Sequence, residues 1–167
     1  MPQSNWNAKT VLVTGAGRGL GKRFAIGFAK LGAKVVLLSR SKGELDAARL
    51  EIEHGGGNAL RIVADVRDRE HMAAAMDRIG VHFGSLDVAI CAAGILGPIG
   101  PFLDADFNLW RETIETNVIG VANTCRAAVP GMKERRSGKI VVLVGPGSEA
   151  GRPNFTAYAA SKTANVR

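Results

Sequence analysis

Tyr158 and Lys162 stand four residues apart, a spacing that puts both on one face of any helix that holds them. A free tyrosine titrates near ~10, and an adjacent ammonium favours its phenolate. Such a tyrosine can give a proton to a carbonyl oxygen as hydride arrives, or take one from an alcohol in reverse. The same spacing also occurs as a plain amphipathic surface pair. Asn117 is a second candidate. It lies three residues after Ile114 and four before Val121, on the expected apolar stripe of its helix. A buried amide there must find partners, either in a helix–helix hydrogen bond or around a water leading to Lys162 as a proton path.

A third group lies near the start of the chain, in Thr14-Gly15-Ala16-Gly17-Arg18-Gly19-Leu20-Gly21. An apolar run over residues 10–13 precedes it, and the helical pattern Phe24, Phe28, Leu31 follows. A second apolar run, residues 33–38, closes a βαβ unit. Glycine lets the backbone approach a pyrophosphate, and the first amides of the helix point at that anion. The alternative is a tight turn without a ligand. At the end of the second strand, Ser39 is followed by Arg40, and Arg18 sits in the glycine loop. An acid there would bind a ribose hydroxyl and repel a 2′-phosphate, whereas a small hydroxyl beside two guanidiniums suits a phosphate dianion. NADP(H) is therefore expected ahead of NAD(H).

These residues need a scaffold, and the rest of the chain supplies the pattern of one. Ser41-Lys42-Gly43-Glu44 reads as a capping box, with Leu45, Ala48 and Ile52 on one helical face and Gly55-Gly56-Gly57 as its stop. A third strand is expected over residues 59–64, ending at Asp65-Val66. Asp68 can cap a helix whose apolar side is Met72, Met76, Ile79 and Phe83. A fourth strand over residues 86–91 runs into Ala92-Ala93-Gly94. A Gly/Pro loop leads to a long helix from Asp106 with the stripe Phe107, Trp110, Ile114, Val118, Val121 and Cys125. A fifth strand is expected over residues 140–144. Apolar strands alternating with helices predict an α/β, Rossmann-like doubly wound parallel sheet with helices on both faces. Residues 1–167 read as one such domain. Because the pattern ends at Arg167 within a helix, the expectation is a domain whose further strands and substrate segment are missing.

Bulk properties narrow the partners. The 167 residues are 46% hydrophobic, ordinary for a globular domain. No apolar run has membrane-helix length. Cys91 and Cys125 have no neighbouring Cys or His at metal-ligand spacing, which argues against a metal site and fits a reducing, cytoplasmic setting. The net charge of +7 permits nucleic-acid binding, but the basic residues are dispersed. The densest cluster, Lys133-Glu134-Arg135-Arg136, reads as a solvated helix end. Neither nucleic acid nor membrane is expected as a partner.

Taken together, these motifs resemble the short-chain dehydrogenase/reductase family over essentially the whole chain. Thr14-Gly15, Gly19 and Gly21 match its cofactor loop, Asp65 the acid near the adenine, Asn117 its active-site asparagine, and Tyr158-Ala-Ala-Ser-Lys162 its Tyr-x-x-x-Lys signature. The resemblance implies hydride transfer between a nicotinamide cofactor and a small carbonyl or secondary alcohol. It makes Tyr158 the general acid/base and gives Lys162 the nicotinamide ribose. Arg18, Ser39, Arg40, Val66, Ala93 and Gly94 would complete the cofactor site. It further implies a homo-oligomer formed through the Asn117 and Tyr158 helices.

Two positions depart from the pattern. Cys91-Ala92-Ala93-Gly94 lacks the family's asparagine, which should loosen that loop. The substrate-binding serine, thirteen residues before the tyrosine, is Gly145 here, and Ser148 is the nearest hydroxyl. Loss of that donor would cost ~2–4 kcal/mol of carbonyl stabilisation. It also favours the competing reading, a catalytically silent dinucleotide-binding or partner-binding protein of the same fold.

Overall fold

The computed structural model describes residues 6–145 and 147–166. Five parallel strands stand in the order β3-β2-β1-β4-β5. They are β1 (Thr10–Thr14), β2 (Lys34–Ser39), β3 (Asn58–Val63), β4 (Val88–Cys91) and β5 (Lys139–Val142). The expected strand positions hold to within two residues. Continuous apolar runs explain this, because a strand covered on both faces needs them. Val11 pairs with Val35 on one side and Val88 on the other, so β1 lies at the centre.

Alternate residues of each strand serve opposite layers. Val11, Val13, Val35 and Leu37 pack against α1 (Gly19–Lys30) and α2 (Lys42–His54), with Ala25, Ala29, Leu45 and Ile52 facing them. Leu12, Val36 and Leu38 face α3 (Arg69–Phe83), through Met72, Ala75 and Ile79, and α5 (Gly120–Glu134), through Ala128 and Met132. Full burial of a Leu, Ile or Val side chain contributes about 1.5–3 kcal/mol, so both layers clamp the same three central strands. The helix starts follow the sequence. Ser41 Oγ accepts from the Glu44 amide at 3.4 Å, and the Asp68 carboxylate accepts from the Glu70 and His71 amides at 2.8 and 3.0 Å. At the floor of the sheet, the Asp87 carboxylate accepts from the Thr10 amide and from Lys9 Nζ, each at 2.9 Å. Burial would push the Asp87 carboxyl up, but these bonds and the charges of Lys9 and Arg135 hold it below its usual value.

The long helix differs from its expected form. It is three pieces: α4 (Phe107–Ile114), a π turn (Glu115–Ile119) and α5. A π turn carries an extra residue, so the 3.6-residue stripe does not continue through it. The buried face is Thr113, Thr116, Asn117, Gly120, Thr124 and Ala128. The expected stripe is instead half-buried at Trp110, Ile114, Val118, Val121 and Cys125, and exposed at Phe107. Small side chains face inward because the helix lies close: a Cβ on Gly120 would come within 2.5 Å of Val66 Cγ2. After β5 the chain returns in α6 (Thr156–Ala164), which carries Tyr158 and Lys162. The basic cluster does end a helix, and Arg135 also donates to the Leu86 carbonyl at 2.7 Å.

Candidate active site

A cleft of about 760 Å³ runs along the carboxyl ends of the strands, where an open parallel sheet places its ligands. One end is the glycine loop. Gly15 has φ of 67° and lies so near the β4 end that an added Cβ would sit 2.8 Å from Ala93 Cα. A Cβ on Gly21 would collide with the Gly15 carbonyl oxygen. The Ala16 amide ties the loop to Leu38 at 3.2 Å. Thr14 is buried and does not line the cleft. Its Oγ1 accepts from the Ala92 and Ala93 amides, each at 3.1 Å, and donates to the Ile90 carbonyl. It thus holds the 92–94 loop that the missing asparagine was expected to loosen.

The middle of the cleft is ionic. The Asp65 carboxylate is gripped by Arg67, with Nη2 at 2.6 Å from Oδ2 and Nε at 2.9 Å. Burial alone would raise the Asp65 carboxyl, but Arg67's hydrogen bonds and the charges of Arg67 and Arg40 hold it below its usual value. Arg67 also meets Glu112 of α4 at 3.1 Å, and Arg40 Nη1 lies 3.6 Å from the same carboxylate oxygen. Among the described residues Ser39 Oγ, which is buried, has no hydrogen-bond partner, and the Glu44 carboxylate stands across Gly17 from it. Arg18, exposed at the start of α1, Gly19, Ser39, Arg40, Asp65 and Val66 all line this part.

At the far end, Ala93, Gly94, Tyr158 and Lys162 line the cleft. Lys162 is 7% exposed, its Nζ donates to the Leu143 carbonyl at 2.6 Å, and it lies 5.6 Å from the Tyr158 ring centre. Burial pushes the Lys162 ammonium below its usual value. Asn117 is fully buried, does not line the cleft, and forms a helix–helix bond, the first of its two alternatives. Its Nδ2 donates to Ser161 Oγ and to the Ile95 carbonyl, and its Oδ1 accepts from the Ile95 amide, all at 2.9 Å. Its backbone carbonyl accepts from Asn165 Nδ2 at 2.9 Å. The residue opposite the tyrosine hydroxyl is Gly145, where a Cβ would stand 3.0 Å from Oη. Ser148 does not line the cleft. Its amide turns back onto the Gly145 carbonyl at 3.1 Å, and its own carbonyl accepts from Thr163. Pro146 lies outside the described residues.

The sequence model of the short chain dehydrogenases matches residues 9–167, nearly the whole chain. This chain belongs to the short-chain dehydrogenase family. It is 37% identical to a cis-4-hydroxycyclohexanecarboxylate dehydrogenase of Sinomonas cyclohexanicum, covering 92% of this chain and 61% of that protein. It is 35% identical to a (-)-trans-carveol dehydrogenase of Rhodococcus erythropolis, covering 92% and 60%. Among solved structures, an NAD+-bound xylitol dehydrogenase superposes with a TM-score of 0.94 at 29% identity, covering 98% of this chain and 63% of that one. A 3-ketoacyl-ACP reductase of Sinorhizobium meliloti 1021 gives 0.88 at 37%, covering 94% and 62%. The chain thus spans about three fifths of the length of these relatives.

Several residues around the cleft of this member of the short-chain dehydrogenase family carry little or no signal in the sequence. Arg67 stands two residues after Asp65, a spacing that could have suggested the fork. Glu112, Ser161 and Asn165 gave no signal, since their partners are 45 to 48 residues away along the chain or 44. Arg152 lies six residues before Tyr158, with its guanidinium carbon 3.8 Å over the Phe155 ring and 5.9 Å from the Tyr158 ring centre. No described helix is long and apolar enough to cross a membrane. Among the described residues no group of acidic, His and Cys side chains could hold a metal. Cys91 is buried near Cys125, and burial with that neighbour pushes its thiol up to about 12.

Proposed function

We propose that this chain binds a nicotinamide dinucleotide and catalyses reversible reduction of a small carbonyl to a secondary alcohol. The observation that carries the reading is the single cleft joining the glycine loop to Tyr158 and Lys162. The residues fit the cofactor on structural grounds. The cradle closes if Gly15 or Gly21 gains a Cβ, and Ser39 presents a buried hydroxyl with no partner among the described residues. Gly15, Gly19 and Gly21 would hold the pyrophosphate. Ala93 and Gly94 would flank the cofactor, and Lys162 would take the nicotinamide ribose. The bound nicotinamide supplies or accepts hydride. Tyr158 Oη gives a proton to the carbonyl oxygen in reduction and takes it from the hydroxyl in oxidation. Asn117 positions this end by tying α6 to the Ile95 backbone.

The preferred cofactor is NADP(H). Ser39 brings no charge to repel a 2′-phosphate, and Arg40 and Arg18 stand exposed on the cleft wall. Arg40 touches Glu112 only at 3.6 Å and Asp65 at 4.0 Å, so it can exchange those contacts for a bidentate phosphate bond. In titrations of the full chain at fixed salt, NADPH is expected to bind about tenfold or more tightly than NADH. Arg40→Ala should bring the two together, and equal affinities in the parent protein would refute the preference. The reaction itself is tested by reduction of a carbonyl panel with each cofactor. Tyr158→Phe should lower turnover about 100-fold to 10,000-fold while dinucleotide affinity stays within a factor of two or so. A second reading, dinucleotide binding without turnover, draws on Gly145 in place of a hydroxyl. Tight cofactor binding with no turnover on any carbonyl would favour it. Small-molecule substrates, assembly into homo-oligomers and a cytoplasmic setting belong to the same proposal.

A further inference from the structure

We infer that Glu112 is a positioning residue for cofactor choice: its carboxylate competes with the cofactor's 2′-phosphate for Arg40 and holds the preference for NADP(H) below what Ser39 and Arg40 would otherwise give. The inference rests on the reading of Arg40 as the phosphate-binding cation. Four side chains from three parts of the chain meet beside the cleft. Arg40 follows β2, Asp65 and Arg67 follow β3, and Glu112 lies on α4. Two carboxylates face two guanidiniums, so the cluster is balanced in charge before any ligand arrives.

The two cations are held differently. Arg67 Nε and Nη2 donate to the Asp65 carboxylate at 2.9 and 2.6 Å, and Arg67 Nη1 donates to Glu112 Oε1 at 3.1 Å. Arg67 is thereby fixed between both acids. Arg40 Nη1 stands 3.6 Å from the same Glu112 oxygen and 4.0 Å from Asp65 Oδ2, and among the described residues its side chain makes no hydrogen bond. Arg40 lines the cleft, and it is the cation free to turn to a ligand. Of its two acidic neighbours, Asp65 is already engaged by the Arg67 fork, whereas Glu112 takes one bond from Arg67 and stands nearer to Arg40. A 2′-phosphate brings about −1.5 to −2 charges at pH 7 and uses two donors of one guanidinium for a fork. It must therefore take Arg40 from Glu112, and the displaced carboxylate is left beside it as a like charge. The ribose hydroxyl of NADH carries no charge and needs no cation. Glu112 thus weighs on one cofactor only.

The test is calorimetric titration of the full chain with NADPH and NADH at fixed low salt, in the parent and in Glu112→Gln, which keeps an acceptor for Arg67 without the charge. NADPH is expected to bind about threefold to fivefold more tightly to the variant, the upper range for an exposed ion pair, while NADH changes by less than about 1.5-fold. Glu112→Asp, whose shorter side chain draws the charge back, should give part of the gain. Glu134→Gln, the same charge change at the exposed end of α5, should give none. In an Arg40→Ala background, Glu112→Gln should leave both affinities where Arg40→Ala puts them. The inference is overturned if the NADPH-to-NADH affinity ratio is the same in the parent and in Glu112→Gln, if both cofactors shift together, or if the gain survives Arg40→Ala. Equal affinities in the parent strike the proposed preference alone, since the response of that ratio to Glu112→Gln still judges Glu112.

Discussion

The two ends of the cleft are built from different materials. At the glycine loop, position is fixed by main chain: Gly21 against the Gly15 carbonyl, Gly15 against Ala93, the Ala16 amide on Leu38. Side chains matter there chiefly by their absence. At the tyrosine end, position is fixed by polar side chains reaching between elements, as Asn117 does to Ile95 and Ser161, Lys162 to Leu143, and Trp110 Nε1 to Thr156 at 3.2 Å. Adding an atom should therefore damage the first end, and removing a few should damage the second.

The largest effect expected from this contrast is at Gly21→Ala. The added methyl meets backbone oxygen, which cannot move away as a flexible side chain would. Overpacking of this kind costs about 1–3 kcal/mol, so denaturant unfolding should shift to lower midpoint and NADPH affinity should fall tenfold or more. A variant with parent-like NADPH binding would break the contrast.

A somewhat smaller effect is expected for Asn117→Ala, which leaves the part-buried Ile95 amide and carbonyl without their partner. A buried group stranded in this way costs about 1–3 kcal/mol, and some of that is recovered if water enters. Stability and turnover should drop while NADPH affinity changes little. Parallel losses of affinity and turnover would show that the ends are not independent.

The smallest effect concerns acid. The Asp65 carboxyl is held below its ordinary value in the folded chain, where the Arg67 and Arg40 contacts outweigh its burial. Its stabilising contribution is complete above the unfolded value of about 3.9 and is lost as pH falls through the lower native value. Melting temperature should thus fall more steeply below about pH 4 in the parent than in Asp65→Asn. Matching slopes would mean that the Arg67 fork adds no pH-dependent stability.

Legibility in the sequence follows the same division. The five strands, the Asp68 and Ser41 caps and the glycine loop could be read because each is a local pattern with a local cause. The buried face of the 107–134 segment could not, since a single π turn breaks the period on which such a reading depends. Asn117 is interior even though Ile114 and Val121, the stripe that pointed to it, are only half-buried, because the π turn that contains it rotates the inward face. Its partners were not legible. Arg40 and Glu112, or Asn117 and Asn165, meet only after strands and helices have been stacked, and no spacing encodes that.

The strand order β3-β2-β1-β4-β5 also bears on how the chain comes together in time. β1 precedes the other four described strands in the chain and is the innermost of the five. Its second neighbour is β4, so the Thr14 hydroxyl waits for amides 78 and 79 residues further along. Contacts between such distant residues form slowly, because a long loop must close before they stabilise anything. During synthesis, one edge of this fully buried strand therefore stays unpaired until residue 91 is available. That edge is the part of the molecule most exposed to wrong pairing, and chaperone contact or a pause in translation would act on it first.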